Sequence, residues 1–447
     1  MEKDKYITEK KQLIDYFLKS CKKKQDWLIG TEHEKFLFCK KTKKRLKYSG
    51  EKSIKTILEK LQSEYFTPIS ESGNIIGLKG KNGDSITLEP GGQFELSGAP
   101  LKNIHQTCNE INNHLITVSK VCDDMEVITL GMGYDPVSSV DEIEWMPKKR
   151  YSLMKKYMPT KGKLGTTMMT LSCTVQVNLD YSSEQDMVKK MKVAFALQPL
   201  ATAIFANSSI ISGKTSDYKS YRSHLWKYTD PDRCGIPDFV LDDDFSFEKW
   251  VDYILSIPMY FINRDGIYHD VLGLSFVDFM NGKLKGFEGQ FPTIKDWEDH
   301  LTVVFTEVRM KGFIEMRGAD TGDWDKLCAL PAFWVGLLYD EDTLNETYEY
   351  LKKFSKDDII NARNDVPLNG LNTSFGNKIL QQVGIDIIAL SKQGLKNRNC
   401  LNANGDDETK FLETIEKVVK NNKSFADINS EILNKKGIDE VFKECSY

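Results

Sequence analysis

The sequence contains no apolar run near the roughly 18 residues that a membrane-spanning helix needs, so no membrane partner is expected. It has no excess of basic charge: 61 Lys and Arg stand against 65 Asp and Glu, for a net charge of -4. A dedicated nucleic-acid binder normally carries a basic face, so no nucleic-acid partner is expected either. None of the nine cysteines forms a C-x-x-C pair, and their odd number and irregular spacing signal neither a secreted disulfide framework nor a zinc site. The six histidines show no metal-ligand spacing. Two glycine motifs are incomplete. Ser208 stands where a phosphate-binding loop ending in Gly213-Lys214-Thr215 needs its first glycine, and Pro136 stands where Gly131-Met132-Gly133 needs a third. The first residues, Met1-Glu2-Lys3-Asp4-Lys5, have neither an apolar signal core nor a Ser/Arg-rich, acid-poor character, which points to a cytoplasmic protein.

What is present is ordinary globular composition, 40% hydrophobic and 28% charged over 447 residues. Such a chain buries a sizeable core without staples. Apolar periodicity predicts helices over 6–25, 51–65, 101–121 and 184–206, and a polar loop region to about 235. Strands are expected over 27–38, 75–78, 85–88, 127–130, 174–180 and 313–317, with Asn82-Gly83 as a hairpin turn. No repeat, low-complexity linker or domain boundary stands out. The expectation is one α+β domain spanning 1–447, mostly helical from about residue 340.

Four of the strands share one design. Side chains alternate across a strand, so Glu32 and Glu34 lie on one face. Thr87 and Glu89 share a face, Gln93 and Glu95 follow beyond Pro90-Gly91-Gly92, and Gln176 and Asn178 lie together, as do Glu315 and Arg317. Val, Leu, Ile, Met and Phe fill the opposite faces. Alternation alone leaves two readings open. The polar faces meet solvent, or they meet one another in a site whose crowded carboxylates need cations. Oxygen donors without a Cys or His cluster suit Mg²⁺ or Mn²⁺.

At these residues the sequence resembles the plant-type glutamate–cysteine ligases. The matching stretches are Gly30-Thr31-Glu32-His33-Glu34-Lys35-Phe36, Leu88-Glu89-Pro90-Gly91-Gly92-Gln93-Phe94-Glu95 and Thr174-Val175-Gln176-Val177-Asn178. Arg222-Ser223-His224-Leu225-Trp226 and Glu315-Met316-Arg317-Gly318-Ala319-Asp320 follow, in the family's order. The resemblance implies a glutamine synthetase-like funnel built on a mainly antiparallel six-stranded sheet covered by helices. It implies that Glu32, Glu34, Glu89, Glu95, Gln176 and Glu315 hold Mg²⁺ and, through it, the ATP phosphates. Arg317 would then reach the transferring phosphoryl group. Arg150 and Arg222 would clamp substrate carboxylates, with Asn178, Tyr134, Trp226 and Tyr260 shaping the amino-acid pockets.

The implied reaction is ATP-dependent ligation of the glutamate γ-carboxyl to the cysteine amine through γ-glutamyl phosphate, the first step of glutathione biosynthesis. No enzyme nucleophile is required. Segments 215–220 and 229–235 are candidate lids. Glutathione feedback and a monomer or homodimer are further expectations. Some plant members are controlled by disulfides; Cys108 and Cys328 fall where one such pair would lie, whereas Val271 and Gly286 occupy the places of the other. A glutamate ligase with another amine acceptor and a guanidino-type phosphotransferase are the competing readings.

Overall fold

In the computed structural model, which describes residues 6–62 and 66–447, the alternating segments form one antiparallel sheet. Its strands are β1 (Ile29–Cys39), β2 (Phe66–Glu71), β3 (Asn74–Gly80), β4 (Ser85–Leu88), β5 (Phe94–Ser97), β6 (Val127–Leu130), β7 (Thr174–Leu179), β8 (Val308–Met310) and β9 (Ile314–Asp320). They run in the order β8-β9-β7-β1-β5-β4-β3-β2, and β6 continues the pairing along the far half of β1. Among the described residues the sheet has nine strands where the resemblance implied six; the β2–β3 hairpin lies at one edge and β8 at the other.

β1 is central. Its first half pairs with β7 on one side and β5 on the other, which aligns Glu32 with Gln176 and with Ser97, and Glu34 with Glu95. Thr87 of β4 stands opposite Glu95, and Glu315 of β9 opposite Asn178. Polar residues of five strands therefore lie on one face in register. The alternate residues Val175, Val177, Leu179, Ile314, Met316 and Ala319 enter the main core on the other face.

That core is supplied by helices α1 (Ile104–Asp124), α2 (Glu184–Ala196), α3 (Gln198–Ile204), α4 (Trp324–Leu338), α5 (Lys356–Asn369) and α6 (Leu380–Arg398). The expected helix 184–206 is two helices, because Pro199 cannot donate to a preceding turn and a new helix starts at Gln198. The helix expected over 6–25 is Lys10–Lys19. The one expected over 51–65 is Ile54–Leu61, with 63–65 outside the described residues. Among the described residues no helix is long and apolar enough to cross a membrane.

Candidate active site

The Pro90-Gly91-Gly92 break is a tight turn that returns the chain from β4 into β5. The Glu89 N–H donates to the Gln93 carbonyl at 2.9 Å and the Gly92 N–H to the Glu89 carbonyl at 2.8 Å. A Cβ at Gly91 would lie 2.4 Å from the Thr170 carbonyl oxygen, and Gly92 has φ +79°. Only glycines fit there, and the turn leaves Glu89 at the mouth of the sheet's polar face.

Glu32, Glu34, Glu89 and Glu95 line one cavity of about 240 Å³ together with Gln93, Thr174, Gln176, Arg150, Arg222, Arg309, Arg317 and Trp226. Each carboxylate is held by its neighbours. Asn178 Nδ2 donates to Glu32 at 2.8 Å, the Thr174 N–H to Glu34 at 2.9 Å, the Tyr151 hydroxyl to Glu89 at 3.3 Å, and the Thr87 hydroxyl to Glu95. Burial, with Glu89 and Glu95 nearby, pushes the Glu34 carboxyl well above the usual carboxylate range. Burial, with Glu89 and Glu32 nearby, pushes Glu95 up to about 8. Arg222 near Glu34 and Lys148 near Glu95 offset these shifts only in part.

The opposite wall is cationic. Arg309 grips Glu315 with two bonds, Nε to Oε2 at 3.0 Å and Nη2 to Oε1 at 2.9 Å, and Lys311 adds a third at 3.0 Å. Arg317 bonds the same carboxylate and donates to Gln176 at 2.8 Å. Burial opposes ionisation of Glu315, but the three cations outweigh it and hold its pKa well below the ordinary value. Glu315 is thus 0% exposed and does not line the cavity; it anchors Arg309 and Arg317, which do. Its oxygens accept from three cations, so it meets the cavity through Arg309 and Arg317.

Arg150 is aimed into the cavity with its Nε buried and without a hydrogen-bond partner, and Trp226 Nε1 is in the same state. Buried donors left open are costly, so both suit a polar ligand. Arg222 sits on the short helix Tyr221–Lys227, in a region expected to be loop. Tyr134 and Tyr260 do not line the cavity. Tyr134 packs edge-on against Tyr221 at 4.9 Å, and Tyr260 lies under the Arg233 guanidinium at 4.0 Å. Both are core aromatics. Asn178 acts through Glu32 and is not in the lining either. Segment 229–235 is no free lid, because the buried Arg233–Asp230 pair, at 2.6 Å, bolts it to the carbonyls of Val303 and Pro258.

Sequence reading missed Arg309 and Tyr151, which fall on no repeating motif; only the register of β8 against β9 brings Arg309 to Glu315. It also missed Lys35, fully buried behind the carboxylates. Lys35 donates to the Phe94 carbonyl at 3.2 Å and lies 2.9 Å from His114, and burial lowers its pKa to about 7. His33 is packed edge-on against His114 on that same face, opposite to Glu32 and Glu34. Cys108 and Cys328 meet with Cα atoms 5.5 Å apart, joining α1 to α4.

Among the described residues no three His, Cys, Asp or Glu side chains close on one point to cage an ion unaided.

Comparison with known proteins gives a single answer. The family model for Glutamate-cysteine ligase family 2 (GCS2) matches residues 28–443. The chain is 47% identical over 442 residues to the chloroplastic glutamate–cysteine ligase of Nicotiana tabacum, covering 98% of this chain and 83% of that one. It is 46% identical over 445 residues to the chloroplastic enzyme B of Oryza sativa subsp. japonica, covering 98% and 87%. A solved glutamate–cysteine ligase from Francisella tularensis in complex with AMP shares the fold at TM-score 0.55 and 12% identity, covering 94% of this chain and 87% of that one. The chloroplastic relatives overturn the cytoplasmic expectation, which rested on Met1–Lys5, outside the described residues. With nearly the whole chain matched, and the carboxylates and arginines of the matched stretches converging on one cavity, the protein belongs to the glutamate–cysteine ligase family.

Proposed function

We propose that this cavity is where ATP, glutamate and cysteine react, and that its acidic wall takes Mg²⁺ with the nucleotide while its arginines take the carboxylates and the moving phosphoryl group. What supports the reading is the convergence of Glu32, Glu34, Glu89 and Glu95 opposite Arg150, Arg222, Arg309 and Arg317 around about 240 Å³.

When bound, Mg²⁺ supplies charge neutralisation to the phosphates as the γ-phosphoryl group moves. Of Glu32 and Glu34 on β1, Glu95 on β5 and Glu89 in the turn, with Gln176 beside them, one or two carboxylates would hold each ion and water and phosphate would complete its shell. Burial, with Glu89 and Glu32, pushes Glu95 up to about 8, and a cation held beside it would favour the ionised carboxylate. Arg317 and Arg309, fixed by the buried Glu315, present guanidinium edges to the transferring group. Arg150, with its open Nε, and Arg222 hold the glutamate carboxylates, since guanidinium binds carboxylate through paired donors and stays charged.

The γ-carboxylate oxygen of glutamate then forms a bond to the γ-phosphorus as the bond to ADP breaks. The cysteine amine attacks the acyl carbon, and phosphate leaves with that oxygen and takes the amine proton. Burial among Met154, Met168, Met169, Trp226 and Phe305 keeps water from the acyl phosphate. The test is ADP formation by the purified chain with Mg²⁺, ATP and glutamate, with and without cysteine. Release that depends on cysteine and yields a γ-glutamyl dipeptide is expected; release with another amine only would replace cysteine in this reading.

A further inference from the structure

Arg222 owes its place to a carboxylate that does not touch the cavity. Asp320, at the end of β9, is 1% exposed and takes four donors or cations at once. Its Oδ2 accepts from the Ser208 hydroxyl at 2.6 Å and from the Asn207 N–H at 2.8 Å. Its Oδ1 accepts from the Ser220 hydroxyl at 2.9 Å and faces Arg222 Nη1 at 3.8 Å. Both serines act again on the helix that carries Arg222. Ser220 Oγ caps it by accepting the Ser223 N–H at 3.2 Å, and Ser208 Oγ accepts the N–H of Arg222 itself at 3.2 Å. The guanidinium is then steadied from its far side, where Nη2 donates to the Arg317 carbonyl at 2.7 Å.

We propose that Asp320 is a positioning residue for glutamate binding, setting both the backbone and the guanidinium of Arg222. The proposal rests on the reading of Arg222 as a carboxylate clamp. It also explains Gly133, left over from the incomplete glycine motif: a Cβ there would lie 2.5 Å from the Asp320 side chain, so any larger residue displaces this carboxylate.

The experiment measures kcat and KM for glutamate and for ATP in Asp320→Asn, Gly133→Ala and Arg222→Lys, with thermal midpoints recorded for each. Expected is a rise of about tenfold or more in KM for glutamate in all three, with kcat and KM for ATP in the first two within about twofold of the parent. A general loss of packing would instead lower kcat and raise both KM values together. If Arg222→Lys raises KM for glutamate while Gly133→Ala and Asp320→Asn leave it unchanged, the positioning role is overturned and the clamp stands. If Arg222→Lys leaves KM for glutamate unchanged, the clamp itself fails and the inference with it. Should Asp320→Asn not fold, Ser220→Ala, which removes one bond to Oδ1, decides together with Gly133→Ala by the same KM split.

Discussion

At the scale of single residues, two glutamates that looked alike in sequence stand in different surroundings. Glu95 lines the cavity with only partial counter-charge, whereas Glu315 lies beneath it, saturated by Arg309, Lys311 and Arg317. Glu95→Gln is therefore expected to abolish ADP formation with little loss of stability, since a buried acid short of counter-charge is replaced by a neutral isostere. Glu315→Gln leaves three cations around an amide, and breaking such a buried pair costs about 3–5 kcal/mol. Its thermal midpoint should fall along with its activity, and midpoints measured beside ADP release separate the two cases. Wild-type turnover in Glu95→Gln would remove that residue from the site. The acidic residues were legible because a strand's period of two puts them on one face. The number of cations waiting for Glu315 was not, because Arg309 and Lys311 reach it across a β8–β9 pairing that alternation does not specify.

At the scale of elements, strands were read more faithfully than helices and loops. β1, β4, β6 and β7 lie where alternation placed them, and the Asn82-Gly83 turn joins β3 to β4. The helix carrying Arg222 escaped notice because its seven residues, Tyr221–Lys227, are too short for a periodic signal and rest on a Ser220 cap and the Asp320 carboxylate. Segment 229–235 looked mobile because Asp, Arg, Pro and Gly are loop residues. Its anchor, Arg233, is 0% exposed and bonds to residues 25 and 70 positions away. Arg233→Leu strands Asp230 in the core and is expected to cost about 3–5 kcal/mol, seen as a lowered unfolding midpoint. An unchanged midpoint would return this segment to the role of a lid.

At the scale of the whole molecule, the mainly antiparallel sheet covered by helices that the resemblance implied is present, and the solved Francisella tularensis enzyme shares the fold at 12% identity. We propose that residues 1–447 form one catalytic domain and that the Cys108–Cys328 bond acts as a redox-sensitive brace across it. The bond spans a sequence separation of 220, and closing so long a loop removes unfolded-state entropy equivalent to about 5 kcal/mol at most. Dithiothreitol is expected to lower the unfolding midpoint of the parent protein and to leave Cys108→Ser unmoved. Equal behaviour of the two would show that the bond does not brace the chain.

The central claim is that the cavity activates glutamate as an acyl phosphate before the amine arrives. Glutamate carrying a heavy-oxygen label in its γ-carboxyl group tests it directly, with ATP, Mg²⁺ and cysteine present and the released phosphate read by mass spectrometry. The account predicts one labelled oxygen in each phosphate released. Phosphate without label, formed alongside the dipeptide, would contradict it.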